Sequence, residues 1–96
     1  MKESYIYIVS NKNRTLLYIG VTSNLIERIE NHKKGNGSSF TKKYNVSDLL
    51  YYEVFTDIKE AILREKQLKK WNKEWKWDLI KLMNPNLLDL YEDLKL

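Results

Sequence analysis

The 96-residue chain contains no cysteine, which excludes a disulfide framework and any thiolate metal site. It has one histidine, His32, so a histidine-cluster zinc site is excluded as well, and a bound metal must be held mainly by oxygen. No long apolar run is present. Met1-Lys2-Glu3-Ser4 leads into Tyr5-Ile6-Tyr7-Ile8-Val9, too short for a signal-peptide core or a bilayer crossing, so a cytoplasmic protein without a membrane partner is expected. No repeat and no linker is apparent, and a chain of this length closes one core but not two.

Charge is unevenly placed. The net value is +4, but Asp89, Glu92 and Asp93 stand against only Lys95 in the last ten residues. Residues 1–86 therefore hold 16 basic and 10 acidic side chains. Such an excess suits a polyanion, because neutralised phosphates release condensed counterions; it also suits a surface selected only for solubility.

Tyr5–Val9 and Leu16-Leu17-Tyr18-Ile19 are β-branched and aromatic segments around the polar stretch 10–14, and together they predict a hairpin. Gly20 is expected to end the second strand. Asn24 with Glu27 has the form of a capping box for a helix reaching about Lys34. Gly35-Asn36-Gly37-Ser38-Ser39 breaks it, and 40–44 follows as a loop or a single helical turn. Leu49–Phe55 predicts a third strand. Thr56-Asp57 with Glu60, and then Asn72, have the form of caps for two helices, the first ending near Trp71 and the second stopped by Asn84-Pro85. Leu87, Leu90, Tyr91 and Leu94 fall at helical spacing. The expectation is an α+β domain over residues 1–86, a small three-stranded antiparallel sheet flanked by helices in the order β-β-α-β-α-α. An amphipathic C-terminal helix over 87–96 is expected to pack on it, on a protein partner or on a second copy.

Several residues do not follow from packing alone. Glu65 interrupts the apolar face formed by Ile58, Ala61, Ile62, Leu68 and Trp71, and a buried carboxylate needs a cation, whether a side chain or a metal. Arg28 and His32 are four residues apart on one helix face; arginine fits phosphate oxygens, and histidine near neutrality serves as acid, base or donor. Tyr7 and Tyr18 are close on adjacent strands. Lys66, Lys69, Lys70, Lys73 and Lys76 lie beside Trp71, Trp75 and Trp77, a pattern that can hold a nucleic-acid backbone or can be solvated lysines around core tryptophans. Lys33, Lys34, Lys42 and Lys43 extend the basic set.

Taken together these residues resemble the GIY-YIG nuclease family. Tyr5-Ile6-Tyr7 stands for the first tripeptide, Tyr18-Ile19-Gly20 for the second, Arg28 follows Tyr18 by ten residues, and His32 and Glu65 fall where that family has its histidine and glutamate. The resemblance covers roughly residues 4–85. It is closest to the small stand-alone members, which also have a loop like Gly35-Asn36-Gly37-Ser38-Ser39-Phe40-Thr41. Tyr5 replaces the first glycine of the name, and neither Asn72 nor Asn84 matches the asparagine of larger members.

The resemblance implies a divalent-metal-dependent endonuclease acting on DNA, or RNA, in repair or recombination. In it Glu65 holds one Mg²⁺ or Mn²⁺ ion, Arg28 neutralises transition-state charge, and one of Tyr7 and Tyr18 activates water while the other positions the phosphate, Tyr18 being slightly favoured as base. Lys33, Lys34, Lys42, Lys43, Lys66, Lys69 and Lys70 are the expected backbone contacts. The alternative is an accessory module of the same fold that binds nucleic acid without cutting it.

Overall fold

The computed structural model describes residues 2–95. In chain order the elements are β1 (Ser4–Ser10), β2 (Leu17–Thr22), α1 (Leu25–Lys33), α2 (Ser39–Tyr44), β3 (Asp48–Phe55), α3 (Ile58–Lys70), α4 (Lys73–Met83) and α5 (Tyr91–Leu94). The strands form one antiparallel sheet in the order β2-β1-β3, as expected for the α+β reading. Central β1 is buried on both faces, which is why its sequence is apolar throughout rather than alternating.

One sheet face carries Ile6, Ile8, Ile19, Leu50 and Tyr51, packed on Ala61 and Leu68 of α3 and Ile80 of α4. The other carries Tyr7, Val9 and Leu49, packed on Leu25 and Ile29 of α1 and on Tyr91. The β1–β3 register slips between Ile8 and Val9. This bulge lets Leu50 and Tyr51 serve one face while Leu49 serves the other. Each fully buried aliphatic side chain contributes roughly 1.5–3 kcal/mol, so the helix layers on both faces are needed to hold a sheet this small.

Several boundaries differ from expectation. β2 runs through Gly20 to Thr22, because Gly20 is a close-packing residue, not a terminator. Residues 39–44 form a six-residue helix, capped by Ser38, whose Oγ accepts from the Thr41 N–H. The Asn24 side chain caps α1, accepting from the Glu27 N–H at 3.2 Å. The Glu27 carboxylate returns to the Asn24 amide side chain, since the Asn24 N–H is already held by Thr22 Oγ1. Ile58, expected to face inward, is exposed at the start of α3.

The helix expected over 87–96 is confined to Tyr91–Leu94, and Leu96 lies outside the described residues. Leu87 takes a positive φ of 52°, which breaks helical continuity. Asn84 is buried, with its amide donating to the carbonyls of Leu50 and Leu88 and its Oδ1 accepting from the Leu88 N–H. That side chain is a structural link between β3 and the turn. Asn72 is likewise engaged as the α4 cap, accepting from the Trp75 N–H at 2.8 Å. The C-terminal segment packs on its own domain: Leu90 N–H donates to the Leu49 carbonyl, and Tyr91 donates to Glu30 at 2.7 Å.

Asp48, almost completely buried at the start of β3, organises this end of the molecule. Lys12 and Arg14 from the β1–β2 loop reach it at 3.0 and 2.9 Å, with Lys33 of α1 at 3.8 Å. Burial alone would raise its carboxyl, but hydrogen bonds from Lys12 and Arg14 outweigh that and hold it below its ordinary range. The native value is therefore the depressed one, so this stabilisation is complete above the unfolded value near about 4 and is lost as pH falls through the native value. Asp48→Asn is expected to destabilise the fold by about 2 kcal/mol at neutral pH and to flatten this part of the acid limb, read from urea unfolding as a function of pH.

Candidate active site

The site is built where β1, β2, α1 and α2 meet. Tyr7 of β1 lies across from Gly20 of β2 in the register, and its ring folds over that glycine. A Cβ at Gly20 would sit 2.3 Å from the Tyr7 hydroxyl and 2.4 Å from the ring carbon that bears it. The glycine of Tyr18-Ile19-Gly20 is thus the space that the tyrosine occupies.

The buried Tyr7 hydroxyl meets His32 Nε2 at 2.9 Å, and His32 Nδ1 meets Thr41 Oγ1 of α2 at 3.1 Å. Thr41 Oγ1 also lies 3.0 Å from the Ser38 carbonyl, which can only accept. With the single threonine proton donated there, Nδ1–H donates to Thr41, Nε2 carries the lone pair, and the Tyr7 O–H donates to it. His32 is 4% exposed, not the surface group that a lone helix-end histidine would suggest. Gly37 is required beside it, because a Cβ there would stand 2.1 Å from Nδ1.

Burial pushes the Tyr7 phenol well above its ordinary value, while the Arg28 guanidinium acts in the opposite direction; Tyr18 and Glu65 also act on its ionisation and push it up. Burial, followed by the Arg28 charge, lowers His32, so the imidazole is neutral at pH 7. Of the five expected residues, Tyr7 and His32 are thus in hydrogen-bond contact, and the charges of Arg28 and Glu65 act on the Tyr7 phenol. Tyr18 makes an edge contact with His32, ring centres 5.8 Å apart, and stacks on Phe40 at 6.2 Å.

Arg28 is exposed on α1, and among the described residues no carboxylate comes within ion-pair distance of it. It forms part of the wall of an open cleft of about 780 Å³ with Lys2, Ser23 and Thr56; neither tyrosine lines that cleft. The Glu65 side chain is 16% exposed, at the rim rather than within the core, and its ion pair is with Lys69 at 3.6 Å. Among the described residues no group of three or more His, Cys, Asp or Glu side chains could hold a metal ion. A single, mostly buried carboxylate can be one ligand of a hard divalent ion that keeps water and substrate oxygens as its others.

The basic residues separate into two groups. Lys33 pairs with Asp89 at 2.5 Å and stands over the Tyr91 ring, on the side of α1 that meets the C-terminal segment. Lys73 donates to the Thr15 carbonyl. Lys34, Lys42, Lys43, Lys66, Lys69 and Lys70 are exposed. Lys69 and Lys76 line a groove of about 330 Å³ along β2 with Leu17, Tyr18, Ile19 and Phe40. Trp71 and Trp77 pack against the core, whereas Trp75 is 56% exposed. Thr41 and Gly37 were legible only as members of the Gly-x-Gly-Ser-x-x-Thr loop; their contact with His32 requires the folded chain.

A model of the GIY-YIG catalytic domain matches residues 3–78. UPF0213 protein SH2523 of Staphylococcus haemolyticus is 36% identical over 80 residues, covering 83% of this chain and 96% of that protein. UPF0213 protein CPE1444 of Clostridium perfringens is 38% identical over 77 residues, covering 80% and 82%. The solution NMR structure of UPF0213 protein BH0048 from Bacillus halodurans superposes with a TM-score of 0.53 at 28% identity, covering 83% of this chain and 84% of that one.

Two outcomes follow from the geometry. Gly20→Ala forces the Tyr7 ring to move and is expected to cost about 1–3 kcal/mol, measured by urea unfolding. The lowered native value of His32 means that the unfolded chain takes up a proton first as pH falls. Its contribution to stability is complete above the unfolded value near about 6.5 and is lost as pH drops through the native value. In His32→Gln that part of the pH dependence of unfolding should vanish.

Proposed function

This chain belongs to the GIY-YIG family, and on that premise we propose that it is a metal-dependent endonuclease hydrolysing DNA phosphodiester bonds, structure-selective or weakly specific, in repair or recombination. The observation that carries the reading is the buried Tyr7–His32–Thr41 hydrogen-bond chain, with Arg28, Tyr18 and Glu65 acting on its phenol. A tyrosine needed only for packing would not require a neutral imidazole as its acceptor.

The raised phenol of Tyr7 cannot ionise alone near neutral pH. Its proton has an acceptor in place, His32 Nε2, held in that tautomer by Thr41. Tyr7 can therefore take a proton from the attacking water while passing its own to His32, so we assign the base role to Tyr7 acting through His32. This reverses the slight preference for Tyr18, whose hydroxyl is left to orient the phosphate. Arg28, without a carboxylate partner among the described residues, is available to the phosphate oxygens as charge accumulates on them. Glu65 is the residue that would hold one Mg²⁺ or Mn²⁺ ion, which when bound supplies charge stabilisation at the leaving oxygen. Exposed Lys34, Lys42, Lys43, Lys66, Lys69 and Lys70 offer sequence-independent contacts to the backbone.

One observation favours a second reading, the accessory module that binds without cutting: among the described residues Glu65 belongs to no group of three or more His, Cys, Asp or Glu side chains that could hold a metal ion. Nicking of supercoiled and branched DNA with Mg²⁺ or Mn²⁺ separates the two. For the nuclease, Tyr7→Phe and His32→Gln each lower the rate by about 10²–10⁴-fold, and Glu65→Ala abolishes metal-dependent cutting while DNA affinity is kept. Folded wild type that binds DNA and cuts none of these substrates is the accessory module.

A further inference from the structure

Resting on the reading of this site as one that acts on DNA, we infer that Phe40 and Tyr44 of α2 form a stacking platform for an unpaired nucleotide beside the scissile phosphate. The substrate class is thereby DNA with a single-stranded segment at the cut.

The two rings lie four residues apart on α2 and so share one face. Their centres are 5.0 Å apart, and Phe40 in turn stacks on Tyr18 with a 23° angle between ring planes. The result is a row of three aromatics, Tyr18, Phe40 and Tyr44, that starts at the tyrosine assigned to orient the phosphate. Phe40 is 38% exposed and Tyr44 43%, and neither joins either core cluster. Burial in the core does not account for two adjacent aromatic side chains left partly in water beside Tyr18.

The inward side of the same helix has a different task. Thr41 holds His32 Nδ1, so the segment that displays Phe40 and Tyr44 also fixes the catalytic tautomer. The platform is thereby set in a defined place relative to Tyr7 and Tyr18.

The charges around the row suit a strand whose bases are turned toward it. Lys43 Nζ stands 5.3 Å from the centre of the Tyr44 ring, Lys42 is exposed beside it, and α2 has no acidic residue. Across the groove Lys69 and Lys76 face Phe40 and Tyr18 along the outer edge of the sheet. Aromatic faces flanked by lysines on both sides bind a single strand by stacking and by phosphate neutralisation. In a duplex the base faces are already covered by their neighbours, so the rings add nothing to blunt double-stranded DNA.

The test measures binding in EDTA, where metal-dependent cutting is absent. Anisotropy of a labelled single-stranded oligonucleotide is compared with that of the blunt duplex of the same sequence, and 2-aminopurine in the single strand reports stacking by quenching. Phe40→Ala and Tyr44→Ala, each checked by circular dichroism, are expected to weaken single-strand binding by about 5-fold or more and to reduce the quenching. Duplex binding should change by less than about 2-fold, since it rests on phosphate contacts. Phe40→Trp should bind the single strand as wild type does. Equal single-strand binding by wild type and folded Phe40→Ala, or equal losses on single strand and duplex, would overturn the platform.

The same variants keep this proposal distinct from the nuclease reading. Single-strand binding that depends on Phe40 in a protein that never cuts supports the platform and rejects the nuclease. Cutting of blunt duplex at the rate of a single-stranded or flapped substrate, unchanged by Phe40→Ala, rejects the platform and keeps the nuclease.

Discussion

The hydrogen bond from the Tyr7 phenol to His32 Nε2 ties the structure together. Both groups are buried, and a buried hydroxyl or imidazole without a partner costs about 1–3 kcal/mol. Each therefore constrains the other. The tyrosine can turn toward α1 only because Gly20 leaves room for its ring, and the imidazole can turn toward the sheet only because Gly37 leaves room for it. Thr41 closes the chain and fixes the proton on Nδ1. Sheet, α1 and α2 are registered by one line of polar atoms within an otherwise apolar layer.

The opposite end of the molecule is organised by charge. Asp48 draws Lys12 and Arg14 from the hairpin loop and Lys33 from α1, and Asp89 holds Lys33 while accepting from the Leu49 N–H. Arg14 also donates to the Leu87 carbonyl. Asp89 of the C-terminal segment thus neutralises Lys33 of α1. Among the described residues, Arg28 of α1 and Lys34 at its C-cap, Lys42 and Lys43 of α2, and Lys66 and Lys70 of α3 remain exposed and outside any ion pair.

That distribution gives the site its character. A buried imidazole accepts from a buried phenol, Arg28 stands exposed one turn away on the same helix with no carboxylate within ion-pair distance among the described residues, and Glu65 keeps a mostly buried carboxylate on α3. They lie on different elements, α1 and β1 on one sheet face and α3 on the other.

Periodicity and capping signals sufficed for the α+β order, the three strands, and the N-caps at Asn24, Asp57 and Asn72, because these depend on contacts within a few residues. The spacing from Tyr18 to Arg28 and His32 was also readable, since one helix face is a local property. Gly20 was misjudged as a strand end, because a glycine that makes room for a ring on the neighbouring strand looks in sequence like a glycine that breaks a strand. The helix over 87–95 was overextended for a similar reason: Asn84 and the positive φ of Leu87 are set by β3, more than thirty residues earlier in the chain. The contacts of Thr41, Gly37, Phe40 and Lys33 likewise form only in three dimensions. Amino-acid type and spacing determine which groups are present and which face of an element they share. Which of them lose water, and which partner must then satisfy them, depends on contacts between segments distant in the chain, and only the tertiary structure supplies those.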